Sequence, residues 1–293
     1  MQALAFYLVL PFLYLISLLP FSLLYLFSDF VFVLLYYIIG YRKKVAIQNL
    51  KNSFPEKSEK EILALRRKFY RYLCDLFLET FKTLTISKEK MIEHCRMNPN
   101  SVKFLQKYYE EKKSIILVLG HLGNWEWGGN AFSLQCKHQL FVIYHPLQNK
   151  YFNKLIIGMR TRFGTKLVEM KNTFRDMVNN KKIISATAFI ADQTPPPESA
   201  YWTKFLNQDT PVFWGTEKIA RKLNYPVIYI NVKKIARGKY EVNGELLCED
   251  PANTSEGEIS ELHTKKLEEE ICKSPETWLW SHRRWKHKQI AKK

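Results

Sequence analysis

The stretch SIILVLGHLGNWEW, residues 114–127, gives the strongest indication of the fold in this 293-residue chain. An apolar run of strand length ends at Gly120, a histidine follows at once, and NWEW has the character of a helix start. A strand that leads through a glycine turn into a helix is typical of α/β folds, in which ligands bind beyond the carboxyl ends of the strands. We therefore expect His121 to lie at the ligand-binding edge of a sheet.

Further apolar runs with the length of strands occur along the chain, at 139–145, 165–170, 184–193 and 226–235. Helical stretches are predicted at 59–83, 101–111, 149–164, 211–224 and 257–280. The segment KIARGKYEVNGELL, 234–247, predicts an antiparallel hairpin with ARGK at its turn. The alternation of strands and helices predicts an α/β fold with a mixed, largely parallel sheet flanked by helices.

The N-terminal region differs in composition from the rest of the chain. Residues 3–41 contain no Lys or Arg and a single acid, Asp29. Residues 6–27 are uncharged and long enough for one membrane helix, which takes about 20 residues, whereas 30–41 is predicted to lie at the interface or to form a hairpin with that helix. Basic residues 42–44 follow, and such residues stay on the cytoplasmic side. We expect an N-terminal membrane anchor over 1–41 and a single domain on the cytoplasmic face over 42–293.

The charge of the chain indicates an anionic partner. Lys and Arg number 45 against 28 Asp and Glu, for a formal net charge of +17, which suits nucleic acid, phospholipid headgroups or an acidic protein. The basic residues are spread along the chain and no nucleic-acid-binding motif is present, so a nucleic-acid partner is not expected. The five cysteines lack CxxC spacing, which argues against both a disulfide framework and a zinc site.

His121 and Glu126 are the first candidates for catalysis. On one continuous helix these two side chains would point about 140° apart. With His121 in the turn and Glu126 in the first helical turn, the carboxylate can reach the imidazole and make a general base with an orienting acid. The backbone N–H groups at the helix start suit an oxyanion or a phosphate. The alternative, a packed histidine beside a glutamate stabilised by the helix dipole, stays open.

Several ordered motifs carry a resemblance to a known family. GHLGNWEW resembles the HX4(D/E) motif of the late acyltransferases of lipid A biosynthesis, the lauroyl/myristoyl transferase family. Further segments are similar to that family over nearly the whole chain: RKKVAIQNLKNSFPEKSEKEI (42–62), FYRYLCDLFLETFK (69–82), VIYHPLQNKYFNKLIIGMRTRFG (142–164), ADQTP (191–195), TPVFWGTEKIARKLNYPV (210–227) and PETWLWSHRRWK (275–286).

The resemblance implies a glycerolipid-acyltransferase-like fold and an enzyme of the inner membrane, active on its cytoplasmic face. Such an enzyme transfers an acyl chain from acyl carrier protein, or from acyl-CoA, to a hydroxyl group of a phosphorylated glycolipid. In lipid A synthesis that hydroxyl is the 3-OH of an acyl chain already on the disaccharide. The family needs neither a metal nor a cofactor, and we expect a monomer.

The motifs also imply roles for individual residues. His121 matches the general base and Glu126 its partner. Substrate binding is expected at a second set: Gly123, Asn124, Arg160, Asp192 and Gln193. A solvated helix face for Arg160, and a structural loop role for Asp192 and Gln193, remain alternatives.

The basic end of the chain is a third candidate region. Arg283, Arg284 and Lys286, beside Trp280 and Trp285, are expected to contact membrane headgroups, with a solvated tail as the alternative. Two positions depart from the family pattern. His145 stands where Arg is frequent and Trp214 where Phe is frequent, which leaves open an acceptor lipid other than a lipid A precursor.

Overall fold

The computed structural model describes residues 2–287. Met1 and residues 288–293, with which the predicted domain 42–293 ends, lie outside the described range. The α-helices are α1 Gln2–Leu18, α2 Phe21–Val33, α3 Lys43–Ser53, α4 Glu59–Lys82, α5 Lys88–His94, α6 Pro99–Glu110, α7 Trp125–Gln135, α8 Lys150–Thr161, α9 Thr173–Asn179, α10 Gly215–Leu223 and α11 Glu258–Lys273. The strands are β1 Cys95–Met97, β2 Ile115–Leu119, β3 Gln139–Tyr144, β4 Lys166–Glu169, β5 Ser185–Ile190, β6 Ala200–Phe205, β7 Gln208–Phe213, β8 Val227–Ala236 and β9 Lys239–Cys248.

Seven of these strands form one sheet, in the order β1-β9-β8-β2-β5-β3-β4. Neighbouring strands are parallel except β8 and β9, which form an antiparallel hairpin around Arg237 and Gly238. The predicted mixed, largely parallel sheet and its late hairpin are therefore confirmed. The remaining pair, β6 and β7, forms a separate antiparallel hairpin.

The central strand β2 explains how the sheet is held between helices. All five of its residues are buried, as expected for a parallel strand covered on both faces. Ile116 and Val118 pack into a core cluster that includes residues of α4 and α11, whereas Ile115 and Leu117 face a cluster that includes α6 and α7. The two-residue period of the strand thus divides the core into two layers.

Most predicted helices have the expected place, with two differences. Residues 211–213 of the predicted helix 211–224 belong instead to β7, where Pro211 is the register partner of Trp202, and the helix begins only at Gly215. The predicted helix 257–280 ends at Lys273, because Pro275 lacks the N–H that a helix needs.

The prediction of one continuous N-terminal helix over 6–27 is wrong. Helix α1 ends at Leu18 and α2 begins after Pro20, whose ring and missing N–H break the helical ladder. Lys82 Nζ donates to the carbonyl oxygens of Ser17 and Leu19 at 2.7 Å each, which satisfies the end of α1. Helix α2 continues through a π-helical segment, Leu34–Ile39. Among residues 2–287, the helix long and apolar enough to cross a membrane is therefore Phe21–Ile39.

Candidate active site

The order of the strands places His121 beside Asp192. β2 and β5 are parallel neighbours, with Leu119 in register with Ile190, so their carboxyl ends meet at one edge. His121 follows β2 and Asp192 follows β5 after one intervening residue each. The two side chains therefore come together although 71 positions separate them in sequence.

The Asp192 carboxylate accepts hydrogen bonds on both oxygens. His121 Nδ1 lies 2.5 Å from Oδ1, and Oδ2 accepts from the His121 backbone N–H and from Trp278 Nε1, each at 2.8 Å. Burial opposes ionisation of this carboxyl group, but the charge and hydrogen bonds of His121 and the Trp278 donor outweigh it, so the pKa of Asp192 lies well below its usual range. A carboxylate that holds the proton on Nδ1 leaves Nε2 as the basic nitrogen.

The prediction that the Glu126 carboxylate contacts His121 is wrong. Glu126 accepts instead a bidentate pair of hydrogen bonds from Arg160 of α8, at 2.9 Å from Nε and 2.5 Å from Nη2. The reason is that His121 Nδ1 is already bound to Asp192. Burial would lower the pKa of Arg160, but its hydrogen bonds and ion pair with Glu126 prevail and raise it. Arg160 is thus part of the site, and the alternative of a solvated helix face does not apply.

His121 and this ion pair line one open cavity of about 330 Å³. Gln193 also lines the cavity, with its Nε2 3.3 Å from His121 Nε2, and Trp125 stands edge-on to the imidazole at a centroid distance of 4.9 Å. Trp127, by contrast, is fully buried and donates its Nε1–H to the Glu79 carbonyl oxygen, so its role is structural.

A second, more apolar cavity of about 160 Å³ adjoins the first. The two share wall residues on β3, β5 and the segment after β4: Ile143, Met170 and Ile190. The further lining is largely apolar and comes from β5 and the residue after it, β7, α9 and α10: Thr173, Phe189, Ala191, Phe213, Gly215, Thr216 and Ile219. The site thus combines a cleft that carries the polar groups of His121, Arg160 and Gln193 with a more apolar extension.

Gly123 and Asn124 do not face this cleft, and the prediction that they contact substrate is wrong. Gly123 has a φ of +63°, and a Cβ there would lie 1.7 Å from the Val232 carbonyl oxygen, so it allows close packing on β8. Asn124 is fully buried, donates to Glu79 Oε2 at 2.7 Å and caps α7 by accepting from the Trp127 N–H. Both residues hold the loop that presents His121.

The basic C-terminal segment is folded into the protein rather than free as a tail. Arg283 and Lys286 are exposed, but Arg284 is only 1% exposed and Trp280 is fully buried. The prediction of headgroup contact is therefore wrong for Arg284 and stays a prediction for Arg283 and Lys286. Burial lowers the pKa of Arg284 to about 10, although the charge of Asp192 acts in the opposite direction. Its Nε and Nη1 find no hydrogen-bond acceptor within residues 2–287.

Sequence reasoning missed three residues near Asp192. Trp278 binds the carboxylate directly, and the only signal for it was its place in the closing motif. Burial lowers the pKa of His263 and of His282 to about 4, although the negative charge of Asp192 acts on both in the opposite direction. In the described range, no group of three or more His, Cys, Asp or Glu side chains is arranged to hold a metal ion, and all five cysteines are free.

Comparison with known proteins gives consistent results. The model of a family described as bacterial lipid A biosynthesis acyltransferases matches residues 1–287. The chain is 22% identical to the lipid A biosynthesis palmitoleoyltransferase of Escherichia coli (strain K12), over 255 residues that cover 85% of this chain and 80% of the relative. The lipid A biosynthesis acyltransferase of Shigella flexneri has the same identity and coverage.

Proposed function

Because the chain belongs to the bacterial lipid A biosynthesis acyltransferase family, we propose that it moves a fatty acyl chain from acyl carrier protein, or from acyl-CoA, to a hydroxyl group of a lipid A precursor. The observation that carries this proposal is the His121–Asp192 pair at the wall of an open cleft. Such a pair suits removal of a proton from a substrate hydroxyl.

The chemistry follows from Nε2 of His121, the imidazole nitrogen that Asp192 does not bind. Nε2 takes the proton of the acceptor hydroxyl as its oxygen attacks the thioester carbonyl carbon. The tetrahedral intermediate then expels the thiol sulfur, which receives the proton from the imidazolium, and an ester bond replaces the thioester. Asp192 stabilises the imidazolium between the two steps and is not itself protonated.

Arg160 supplies positive charge beside this reaction. Its guanidinium lines the same cleft as His121 and is held in place by two hydrogen bonds to Glu126. We assign to Arg160 the stabilisation of negative charge on the thioester oxygen or the positioning of the acceptor, and to Glu126 the orientation of Arg160. Gln193, which contacts His121 Nε2, completes the polar wall.

The apolar cavity next to the cleft suits the acyl chain of the donor. It adjoins the cleft that contains His121, and the two cavities share Ile143, Met170 and Ile190 as lining residues. The net charge of +17 suits an acidic carrier protein and a phosphorylated glycolipid, and we propose both as partners. We further propose that the protein works as a monomer without metal or cofactor.

The proposed location is the cytoplasmic face of the inner membrane. Residues 1–41 provide the apolar attachment, and they are followed by the basic residues 42–44, a type of residue that stays on the cytoplasmic side. The remainder of the chain forms the acyltransferase domain. Arg283 and Lys286, which are exposed, are available for contact with headgroups.

A second candidate is the same reaction on a different acceptor lipid. His145, where the resembled family frequently has Arg, lines the cleft and is exposed. A histidine side chain at this position lacks the planar two-donor fork with which a guanidinium binds a phosphate.

The test is an assay with purified protein, acyl carrier protein donors of several chain lengths and a tetra-acylated lipid A precursor. We expect ester formation that collapses in His121→Ala while folding is preserved. Mass spectrometry of lipids from a deletion strain separates the two acceptors: loss of one secondary acyl chain from lipid A supports the first, and unchanged lipid A excludes it. Full function in His121→Ala would instead indicate a non-enzymatic binding protein.

A further inference from the structure

The inner face of the long apolar helix Phe21–Ile39 is bound to polar groups of α4 along its length. The Tyr36 hydroxyl accepts from Arg66, Ser28 donates to Asp75 at 2.7 Å, and Tyr25 donates to Glu79 at 2.8 Å. Residue numbers fall along one helix as they rise along the other, so α2 and α4 are antiparallel neighbours. The position of α2 relative to the membrane therefore also fixes the position of the charged helix α4.

The middle of this apolar helix is tied to the β8–β9 hairpin. Arg237, at the turn, donates to both oxygens of Asp29 at 2.9 and 3.0 Å and also to Asp75 at 2.7 Å. The neighbouring Gly238 is pressed against α2, since a Cβ there would lie 1.9 Å from the Tyr25 hydroxyl oxygen. The tip of the sheet is thus fixed at the midpoint of the apolar helix.

A charged cavity of about 300 Å³ opens at the same midpoint. Most of its lining residues are ionisable and come from α2, α4, the hairpin and the segment after α11: Asp29, Lys68, Arg71, Tyr72, Asp75, Lys234, Arg237 and Glu276. Charged walls of this kind require water or protein around them. A hydrocarbon environment at this level of the helix would be strongly unfavourable.

The outer faces of α1 and α2 have the opposite character. Large apolar side chains are exposed along both helices, for example Leu8, Phe12, Leu26, Phe30 and Ile38. Arg71 of α4 is exposed and lies against α2, with its guanidinium over the Phe32 ring at 5.2 Å, and Arg67 and Lys68 are further exposed basic side chains of α4. An exposed apolar face on a helix that also packs against an exposed basic side chain is complementary to a leaflet that contains anionic lipids.

We infer that α1 and α2 lie flat in one leaflet of the membrane and that Phe21–Ile39 does not cross it. A crossing helix would place Asp29, Arg237 and the charged cavity near the centre of the bilayer. A flat orientation immerses only the outer faces and leaves α4, the hairpin and the cavity on the water side. This inference rests on the membrane attachment proposed above, but not on the acyl-transfer chemistry.

Depth measurements along α2 test the orientation. Single nitroxide labels are placed on cysteines introduced at exposed outer positions. The background variant is Cys272→Ser, because Cys272 is the exposed native cysteine within residues 2–287 and would otherwise react with the label. The sites are Leu23, Leu26, Phe30, Val33 and Ile38, with Leu262, an exposed leucine of α11, as the matched control. The full chain is reconstituted in phosphatidylethanolamine–phosphatidylglycerol vesicles, and depth is obtained from relaxation by oxygen against a water-soluble nickel chelate.

For the 19-residue helix, which is about 28 Å long, we expect nearly equal depths at all five sites. The control on α11 should be accessible to nickel. A depth that increases to Phe30 and then decreases, over about 10 Å or more, would show a crossing helix and overturn the inference. Failure of the protein to bind the vesicles would overturn both the orientation and the attachment. Equal depths in a protein without acyl-transfer activity would contradict the proposed chemistry alone.

Discussion

Replacement of Asp192 by asparagine changes one atom and should reverse the proton arrangement of His121. In the present geometry Oδ2 accepts from the His121 backbone N–H and from Trp278, whereas Oδ1 faces the imidazole. An asparagine that keeps its oxygen toward the first two donors presents its NH₂ group to Nδ1. Nδ1 must then accept, so the ring proton moves to Nε2 and the base is lost.

The expected size of the effect is large. In the serine-protease triad the equivalent change costs about 10⁴-fold in kcat, and for Asp192→Asn we expect a loss of about 10³- to 10⁴-fold, or about 4–5.5 kcal/mol of transition-state stabilisation. Two of the three hydrogen bonds at this position are unchanged and the third is reversed, so the fold should persist. The free energy of unfolding should fall by about 1–3 kcal/mol.

The assay is ester formation from an acyl carrier protein donor under single-turnover conditions, with thermal unfolding to verify the fold. Asp209→Asn is the matched control, because the same chemical change there affects a largely exposed ion pair with Lys204. Glu126→Gln is the discriminating variant. If Asp192→Asn stays within tenfold of the wild type while Glu126→Gln loses a thousandfold, the orienting acid is Glu126 and the assignment from this structure is refuted.

Three further predictions follow from the site and its surroundings. Glu126→Gln and Arg160→Met should each lower the free energy of unfolding in urea by about 1–3 kcal/mol. The double variant should lose at least about 1 kcal/mol less than the sum of the two single losses, because the two side chains bind each other. Additive losses would contradict this interaction. Gly215→Leu should shift the preference among acyl donors about tenfold or more toward shorter acyl chains, because a side chain there would extend into the open space of the apolar cavity. Gly158→Leu is the control and should leave the preference unchanged, because Gly158 also faces open space but lies outside this cavity. Burial lowers the pKa of His263 from 6.5 to about 4, so between these pH values the unfolded chain binds a proton that the folded chain does not. The contribution of His263 to the free energy of unfolding should therefore drop by about 2 kcal/mol from pH 7.5 to pH 5. If His263→Leu has the same pH dependence of stability as the wild type, this contribution is excluded.

Local patterns in the sequence were sufficient for much of the architecture. The apolar run before Gly120 is a buried strand, the stripe along 59–83 is helix α4, and ARGK lies at a hairpin turn, because each depends on neighbouring residues. Pro20 was also a local signal for the break between α1 and α2. A proline is tolerated in membrane helices, and the sequence alone did not show that Lys82 would bind the carbonyl groups exposed by the break.

The site itself depended on contacts that local patterns do not contain. Asp192 was placed at a strand end, but its partnership with His121 requires that β5 lie directly beside β2, with β3 and β4 placed outside β5. Glu126 was the nearest acid in sequence and therefore the natural candidate. Arg284 belongs to a basic run that would ordinarily be exposed. Its burial follows from the packing of the segment that also brings Trp278 to Asp192.

The bond from Trp278 to Asp192 has a consequence for the biosynthesis of the protein. Trp278 lies 86 positions after Asp192 in the sequence, so it leaves the ribosome later than His121 and the strand that presents it. Until the C-terminal segment docks, Asp192 lacks one of its donors and the base is incompletely oriented. Chains that end before Trp278 should therefore form the sheet but remain inactive, so that acyl transfer begins only after this residue has been synthesised and has docked.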